Sequence, residues 1–288
     1  VRTAMPAWEP AAATTPDPDY ADRLDRARVL LRGRRIVALT GAGVSTASGI
    51  PDYRSPGAPR RTPMTLQQFL GSAEFRRRYW ARNHLGWRHM DAARPNAAHR
   101  ALAALPGVTG VITQNVDLLH LKAGSRGVID LHGNYAQVRC LTCENRISRH
   151  RLHTQLEPLN AGFVARIAGR GALEVAPDAD VVVEDTTDFT MVDCGACGGI
   201  LKPDIVYFGE SVPKPRVERA FALVDGADAL LVLGSSLTVM SGLRFVRHAH
   251  KQDIPVVIVN RGRTRGDDLA DVTVDVDVAT ALHRLAAP

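Results

Sequence analysis

Two C-x-x-C pairs, Cys140/Cys143 and Cys194/Cys197, account for all four cysteines of the 288-residue chain. Four thiolates in two such knuckles make the closed tetrahedral set of a structural Zn2+ site, whose filled coordination sphere builds structure and leaves no open position for catalysis. The 50 residues between the pairs are no obstacle, because the cost of closing a loop grows slowly with its length. Redox exchange at the pairs is the alternative, and nothing beside either motif favours it. His132, in Leu131-His132-Gly133-Asn134, is a candidate general base, since an imidazole titrates close to neutral pH. Thr113-Gln114-Asn115-Val116-Asp117 places amides and a carboxylate where they suit recognition of an amide and a ribose, or else cap a helix. Gly41-Ala42-Gly43-Val44-Ser45 offers backbone N–H groups to a diphosphate, or is a tight turn without a ligand. It lacks the third glycine of the dinucleotide fingerprint, where Thr46 stands, which argues against an ordinary hydride-transferring dehydrogenase.

Three of these groups follow short apolar runs: 36–39 empties into the glycine loop, 108–113 leads to Gln114, and 128–131 leads to His132. Further runs at 229–233, 256–259 and 272–276 alternate with helical patterns at 20–31, 96–105 and 215–224. Buried strands alternating with helices predict an α/β fold, a Rossmann-like parallel sheet covered on both faces, with functional groups at the carboxyl ends of its strands. The Rossmann-like domain is expected over 19–54, 95–135 and 203–288. A helical insertion, 55–94, and a zinc-binding insertion, 136–202, are expected to form a smaller lobe. Residues 1–18, rich in Ala, Pro and Thr, read as a flexible lead-in.

Hydrophobic residues make up 45% of the chain and charged residues 23%, which fits a globular protein. No apolar run approaches the roughly 20 residues that span a bilayer, and the N-terminus shows no secretory pattern, so a cytoplasmic protein without membrane contact is expected. The net charge of +6 is almost all arginine, with lysine only at Lys122, Lys202, Lys214 and Lys251. Because the arginines are scattered and form no stripe, no direct nucleic-acid partner is expected.

In order along the chain stand Gly41-Ala42-Gly43-Val44-Ser45, Gly49-Ile50-Pro51-Asp52-Tyr53-Arg54, Gln114-Asn115-Val116-Asp117, His132-Gly133 and the two cysteine pairs. Lys202-Pro203 with Phe208-Gly209-Glu210, then Gly234-Ser235-Ser236-Leu237 and Val259-Asn260, follow them. This series resembles the sirtuin family over residues 41 to 260; Tyr53 stands where many members carry phenylalanine. The run Arg78-Tyr79-Trp80-Ala81-Arg82-Asn83, with Gly86-Trp87, is similar to class II sirtuins, the mitochondrial sirtuin-4 type and its bacterial relatives. Those carry an extra loop between the cysteine pairs, expected here near 168–183.

The resemblance implies NAD held in a cleft beside a zinc lobe. Gly41, Ala42, Gly43, Ser45, Asp52, Tyr53, Arg54, Gln114, Gly234, Ser235, Ser236, Asn260, Arg261 and Val278 stand where sirtuins hold NAD. Asn115 and Asp117 stand where the nicotinamide ribose and its carboxamide are held. His132 is implied as the catalytic base, with Asn115 beside it. Val206, Phe208, Gly209 and Glu210 are implied as the strand that pairs with a substrate peptide. Tyr79 and Arg82, three apart on a helix, are implied as a receptor for an acidic acyl group; an exposed arginine on an arginine-rich helix is the alternative. The implied activity is NAD-dependent removal of an acyl group from lysine on proteins or peptides. The acyl oxygen attacks C1′ of the nicotinamide ribose, nicotinamide leaves, and His132 deprotonates the ribose hydroxyl that attacks the acyl carbon, giving lysine and O-acyl-ADP-ribose. Mono-ADP-ribosyl transfer in the same site, and a catalytically silent NAD-sensing module, are the alternatives.

Overall fold

Strands and helices alternate as the apolar runs predict, in a computed structural model that describes residues 18–52, 63–168, 183 and 185–287. The chain opens with α1 (Tyr20–Leu31) and β1 (Ile36–Thr40), then inserts α2 (Leu66–Gly71) and α3 (Ala73–Ala92). Next come α4 (Ala97–Ala104), β2 (Val108–Thr113), the short α5 (Leu119–Lys122) and β3 (Val128–Asp130). A second insertion holds β4 (Gly133–Cys140), β5 (Arg146–Ser148), α6 (Arg149–Leu159), α7 (Ala161–Ala168) and β6 (Leu201–Ile205). The chain finishes with α8 (Lys214–Asp225), β7 (Ala229–Leu233), α9 (Met240–Lys251), β8 (Val256–Val259), β9 (Val272–Val274) and α10 (Val278–Leu285). Among the described residues no helix is long and apolar enough to cross a membrane.

The large sheet is parallel throughout, in the order β3-β2-β1-β7-β8-β9. Side chains alternate between faces along a strand, and the core divides accordingly. Ile36, Ala38, Leu231, Leu233, Val257 and Val259 pack with Leu24, Leu102 and Leu282 of α1, α4 and α10. Val37, Leu39, Leu230, Val232 and Ile258 pack with Val224, Phe245 and Val246 of α8 and α9. Burial on both faces is why β1, β7 and β8 read as unbroken apolar runs.

The smaller lobe contains an antiparallel sheet, β5-β4-β6, that the apolar pattern does not predict. β6 reads Leu-Lys-Pro-Asp-Ile, and its Pro203 is tolerated because the strand lies at an edge. The sheet runs from Gly133 to Ile205, so residues 133–135 and 203–205, expected in the large domain, belong to it. Gly133 is obligatory there, at φ +79, because a Cβ would lie 1.8 Å from the Asp204 carbonyl oxygen. α2, α3, α6 and α7 cover this sheet through Phe69, Tyr79, Trp80, Leu152, Leu156 and Phe163. The extra loop expected near 168–183 falls mostly outside the described residues, as does nearly all of the expected lead-in.

Candidate active site

β1 has β2 on one side and β7 on the other, so the connections leaving β1 and β7 diverge and open a crevice at the carboxyl ends of the strands. Gly41 follows β1 and Gly234 follows β7. A Cβ on Gly41 would lie 2.7 Å from Ser235 Cβ and 2.8 Å from Gly234 O, and the Gly43 N–H donates to Gly234 O at 2.9 Å. Only glycine lets these two loops abut, and together they floor a cleft of about 830 Å³. Gly41, Ala42, Gly43, Ser45 and Asp52 border it from the β1 side. Gln114, Asn115, Asp117 and His132 border it from the ends of β2 and β3. Gly234, Ser235, Ser236, Asn260, Arg261 and Val278 close the far end, and Val206, Phe208, Gly209 and Glu210 form the small-lobe rim. Tyr53 and Arg54 lie outside the described residues.

The polar floor is tied together across two loops. Ser45 Oγ–H donates to Asp117 at 2.6 Å, and Asn115 Nδ2 donates both to Ser45 Oγ at 2.9 Å and to Gly41 O at 3.0 Å. Asp117 Oδ1 also accepts the Leu119 N–H at 2.9 Å, so one carboxylate holds the start of α5 from one position before its cap, Leu118, and borders the site. Burial pushes the Asp117 carboxyl above its usual range, against the bond from Ser45. His99 and His120 lie beneath this floor with rings 4.9 Å apart, and burial pushes them down to about 4 and about 3.

His132 lies between β3 and β4. Its Nδ1 is 2.9 Å from Gln114 O and its Nε2 is 2.8 Å from Ser241 Oγ. A carbonyl only accepts, so Nδ1 carries the proton and Nε2 is the basic nitrogen. Burial lowers the imidazole to about 4, against the pull of the Gln114 carbonyl. His132 is therefore neutral at pH 7. Ser241 carries no sequence signal, since a serine in the first turn of a helix reads as a cap.

The small-lobe rim differs from its expected form. The Glu210 N–H donates to Tyr207 O at 3.0 Å, closing a turn with Gly209 at φ +78, so Phe208-Gly209-Glu210 is not a strand. Phe208 alone makes an isolated parallel bridge, to Thr65. The Glu210 carboxylate is held by Lys202 Nζ at 2.9 Å, Arg139 at 3.3 Å and the Tyr207 N–H at 2.8 Å, which makes it the brace of that turn. Tyr79 is also not at the cleft surface. It is 2% exposed, with ring centroids 5.6, 5.4 and 5.3 Å from Phe69, Trp80 and Tyr207, and its hydroxyl accepts from Asn83 Nδ2 at 3.5 Å. The alternation of α3 turns Tyr79 and Asn83, four apart, into the core. Arg82 is partly buried, makes interactions within the chain, and does not border the cleft either.

The four cysteines converge at the other end of β4. Their sulfurs lie within 4.8 Å of one another, with Cys140 to Cys197 at 3.5 Å and Cys143 to Cys194 at 3.7 Å. Zn–S bonds of about 2.3 Å in a tetrahedron put sulfurs about 3.8 Å apart, so the four thiols fit one structural Zn2+.

The pattern of the Sir2 family matches residues 41–241. The chain is 63% identical over 260 residues to "NAD-dependent protein deacetylase 1" of Mycobacterium avium (strain 104), covering 89% of this chain and 92% of that protein. It is 52% identical over 285 residues to the protein of the same name from Streptomyces coelicolor, covering 97% and 93%. Among solved structures, one described as Sir2 with a p53 peptide and NAD+ superposes with a TM-score of 0.72 at 32% identity, covering 91% of this chain and 96% of the other. Matched by the family pattern over residues 41–241 and by a relative 63% identical over 260 residues, the chain belongs to the Sir2 family.

Proposed function

We propose that this chain is an NAD-dependent protein-lysine deacylase, a reading carried by the half-buried, neutral His132 at the cleft, whose Nε2 is the basic nitrogen. When bound, NAD supplies an electrophilic sugar carbon that accepts the acyl oxygen and releases nicotinamide. The abutting glycine loops at Gly41 and Gly234 present backbone N–H groups to its phosphates. Gln114, Asn115 and Asp117 form the polar floor for the nicotinamide ribose and carboxamide. Asn260, Arg261 and Val278 border the opposite end. His132 takes a proton at Nε2 from a sugar hydroxyl, while Gln114 O holds the proton on Nδ1 and keeps the ring in that tautomer. The turn of Val206 to Glu210 offers the exposed Phe208 and a stiff rim against which a substrate peptide lies. Acylated lysine on proteins or peptides is the partner, in line with relatives named deacetylases.

The class II assignment is supported by the run Arg78 to Asn83 with Gly86-Trp87, and by α6 and α7 standing in the interval between the cysteine pairs. With Tyr79 withdrawn into the core, a small acyl group such as acetyl is the substrate we assign. The test is whether purified protein releases nicotinamide from NAD only when an acetyl-lysine peptide is present, with free lysine appearing in step. Nicotinamide release without peptide, together with label on the protein itself, would sink this reading in favour of mono-ADP-ribosyl transfer.

A further inference from the structure

We propose that Ser241 is a positioning residue for His132, holding the lone pair of the base in its working direction while the cleft is empty. A neutral imidazole has one donor and one acceptor nitrogen. With the Gln114 carbonyl 2.9 Å from Nδ1, Nε2 is the acceptor, and the Ser241 hydroxyl at 2.8 Å is its donor. The ring sits in a turn between β3 and β4, and these two bonds are the polar contacts that set its side-chain torsions.

Both partners are themselves fixed. Ser241 belongs to the first turn of α9, and Leu243, Phe245, Val246 and Ala249 of that helix are each no more than 1% exposed. The Gln114 backbone N–H donates to Thr40 O at 2.9 Å, and its Nε2 donates to Ser235 Oγ at 2.7 Å. Gly242 completes the arrangement, because a Cβ there would lie 2.7 Å from Gln114 Oε1. The Ser241-Gly242 dipeptide thus supplies the donor to one imidazole nitrogen and the room for the residue that holds the other. A reacting group held by packed, regular structure is placed more accurately than one on a loop, and small misplacements are costly in rate. In the empty cleft the Ser241 hydroxyl stands where a sugar hydroxyl would donate, and it yields that position when substrate arrives.

This inference rests on the deacylase reading, so its test uses one readout that needs no turnover. In the 15N spectrum of the apoprotein, His132 should show a protonated Nδ1 and a hydrogen-bonded, unprotonated Nε2. Ser241→Ala should move the Nε2 resonance, and Ser241→Thr should restore it. In steady-state assays Ser241→Ala should lower kcat/KM for the acyl peptide about tenfold, because fewer free molecules hold the ring ready, and Ser241→Thr should return kcat/KM to within about threefold of the native value. A native kcat/KM in Ser241→Ala, or an Nε2 resonance that does not move, overturns the proposal. If the native protein itself fails to deacylate, the deacylase reading falls, while the resonance still decides whether Ser241 holds the ring.

Discussion

The Ser45 hydroxyl reaches from the loop after β1 to the Asp117 carboxylate in the loop after β2, a distance of 2.6 Å at a site where both side chains are buried. Removing the hydroxyl leaves a buried carboxylate short of a donor, which costs about 1–3 kcal/mol. Ser45→Ala should therefore shift the urea midpoint downward with an unchanged m-value, and it should weaken NAD binding measured by calorimetry.

His132 acts on a proton, and Gln114, its one partner in the floor, is held independently through Thr40 O and Ser235 Oγ. His132→Ala should leave NAD affinity within a few-fold while lowering deacylation by about 10²-fold or more, the usual scale for loss of a general base. Undiminished turnover in that variant would remove His132 from the chemistry.

Metal content follows from the four sulfurs. Elemental analysis should find one zinc per chain, and either Cys140→Ala or Cys197→Ala should unfold the small lobe and abolish activity indirectly. Limited proteolysis confined to the segment from β4 to β6 would locate the damage; fully active, metal-free protein would contradict the zinc assignment.

Stability should fall with acid in a defined window. His99 and His132 are lowered to about 4 and His120 to about 3, each chiefly by burial. The unfolded chain binds protons at the ordinary histidine value near 6.5. Between that pH and about 4 it holds protons that the folded chain refuses, so the stabilisation is complete above about pH 6.5 and is lost progressively below it. Asp117, raised by burial, works in the opposite direction. Thermal midpoints should decline continuously from pH 6.5 to 4.5, and His120→Gln should flatten that slope.

Acyl preference is decided by what borders the cleft. Since neither Tyr79 nor Arg82 does among the described residues, acetyl-lysine should be cleaved at least as fast as glutaryl-lysine. Arg82→Met should change the ratio by less than about threefold. A glutaryl preference that Arg82→Met reverses, read by mass spectrometry of paired peptides, would bring the Tyr79 and Arg82 pair back as an acidic-acyl receptor.

Several elements were legible because their cause is local. The strands β1, β7 and β8 are buried on both faces, and that burial writes itself into consecutive apolar residues. α1 runs from Tyr20 to Leu31 as its pattern predicts. The C-x-x-C pairs specify a thiolate set through spacing alone, and Gly41 and Gly43 mark a loop where backbones must touch. β6 leaves no such signature in the sequence, for the converse reason. Its Lys202, Pro203 and Asp204 are buried through partners distant in sequence, Lys202 by Glu210 and Asp204 by Arg146 and Arg216.

Residue types and spacing by themselves determined the layered α/β scaffold and the four-thiol set, and marked Gly41, Gln114, Asn115, Asp117 and His132 at strand ends, while the rest of the cleft lining was implied by the family resemblance. Only the tertiary structure decided which polar groups meet. Ser241 and His132 are 109 positions apart, so no local pattern records their contact. Glu210 turned out to brace a turn, and Tyr79 to be core, because a side chain's direction depends on which face of its element the rest of the chain covers.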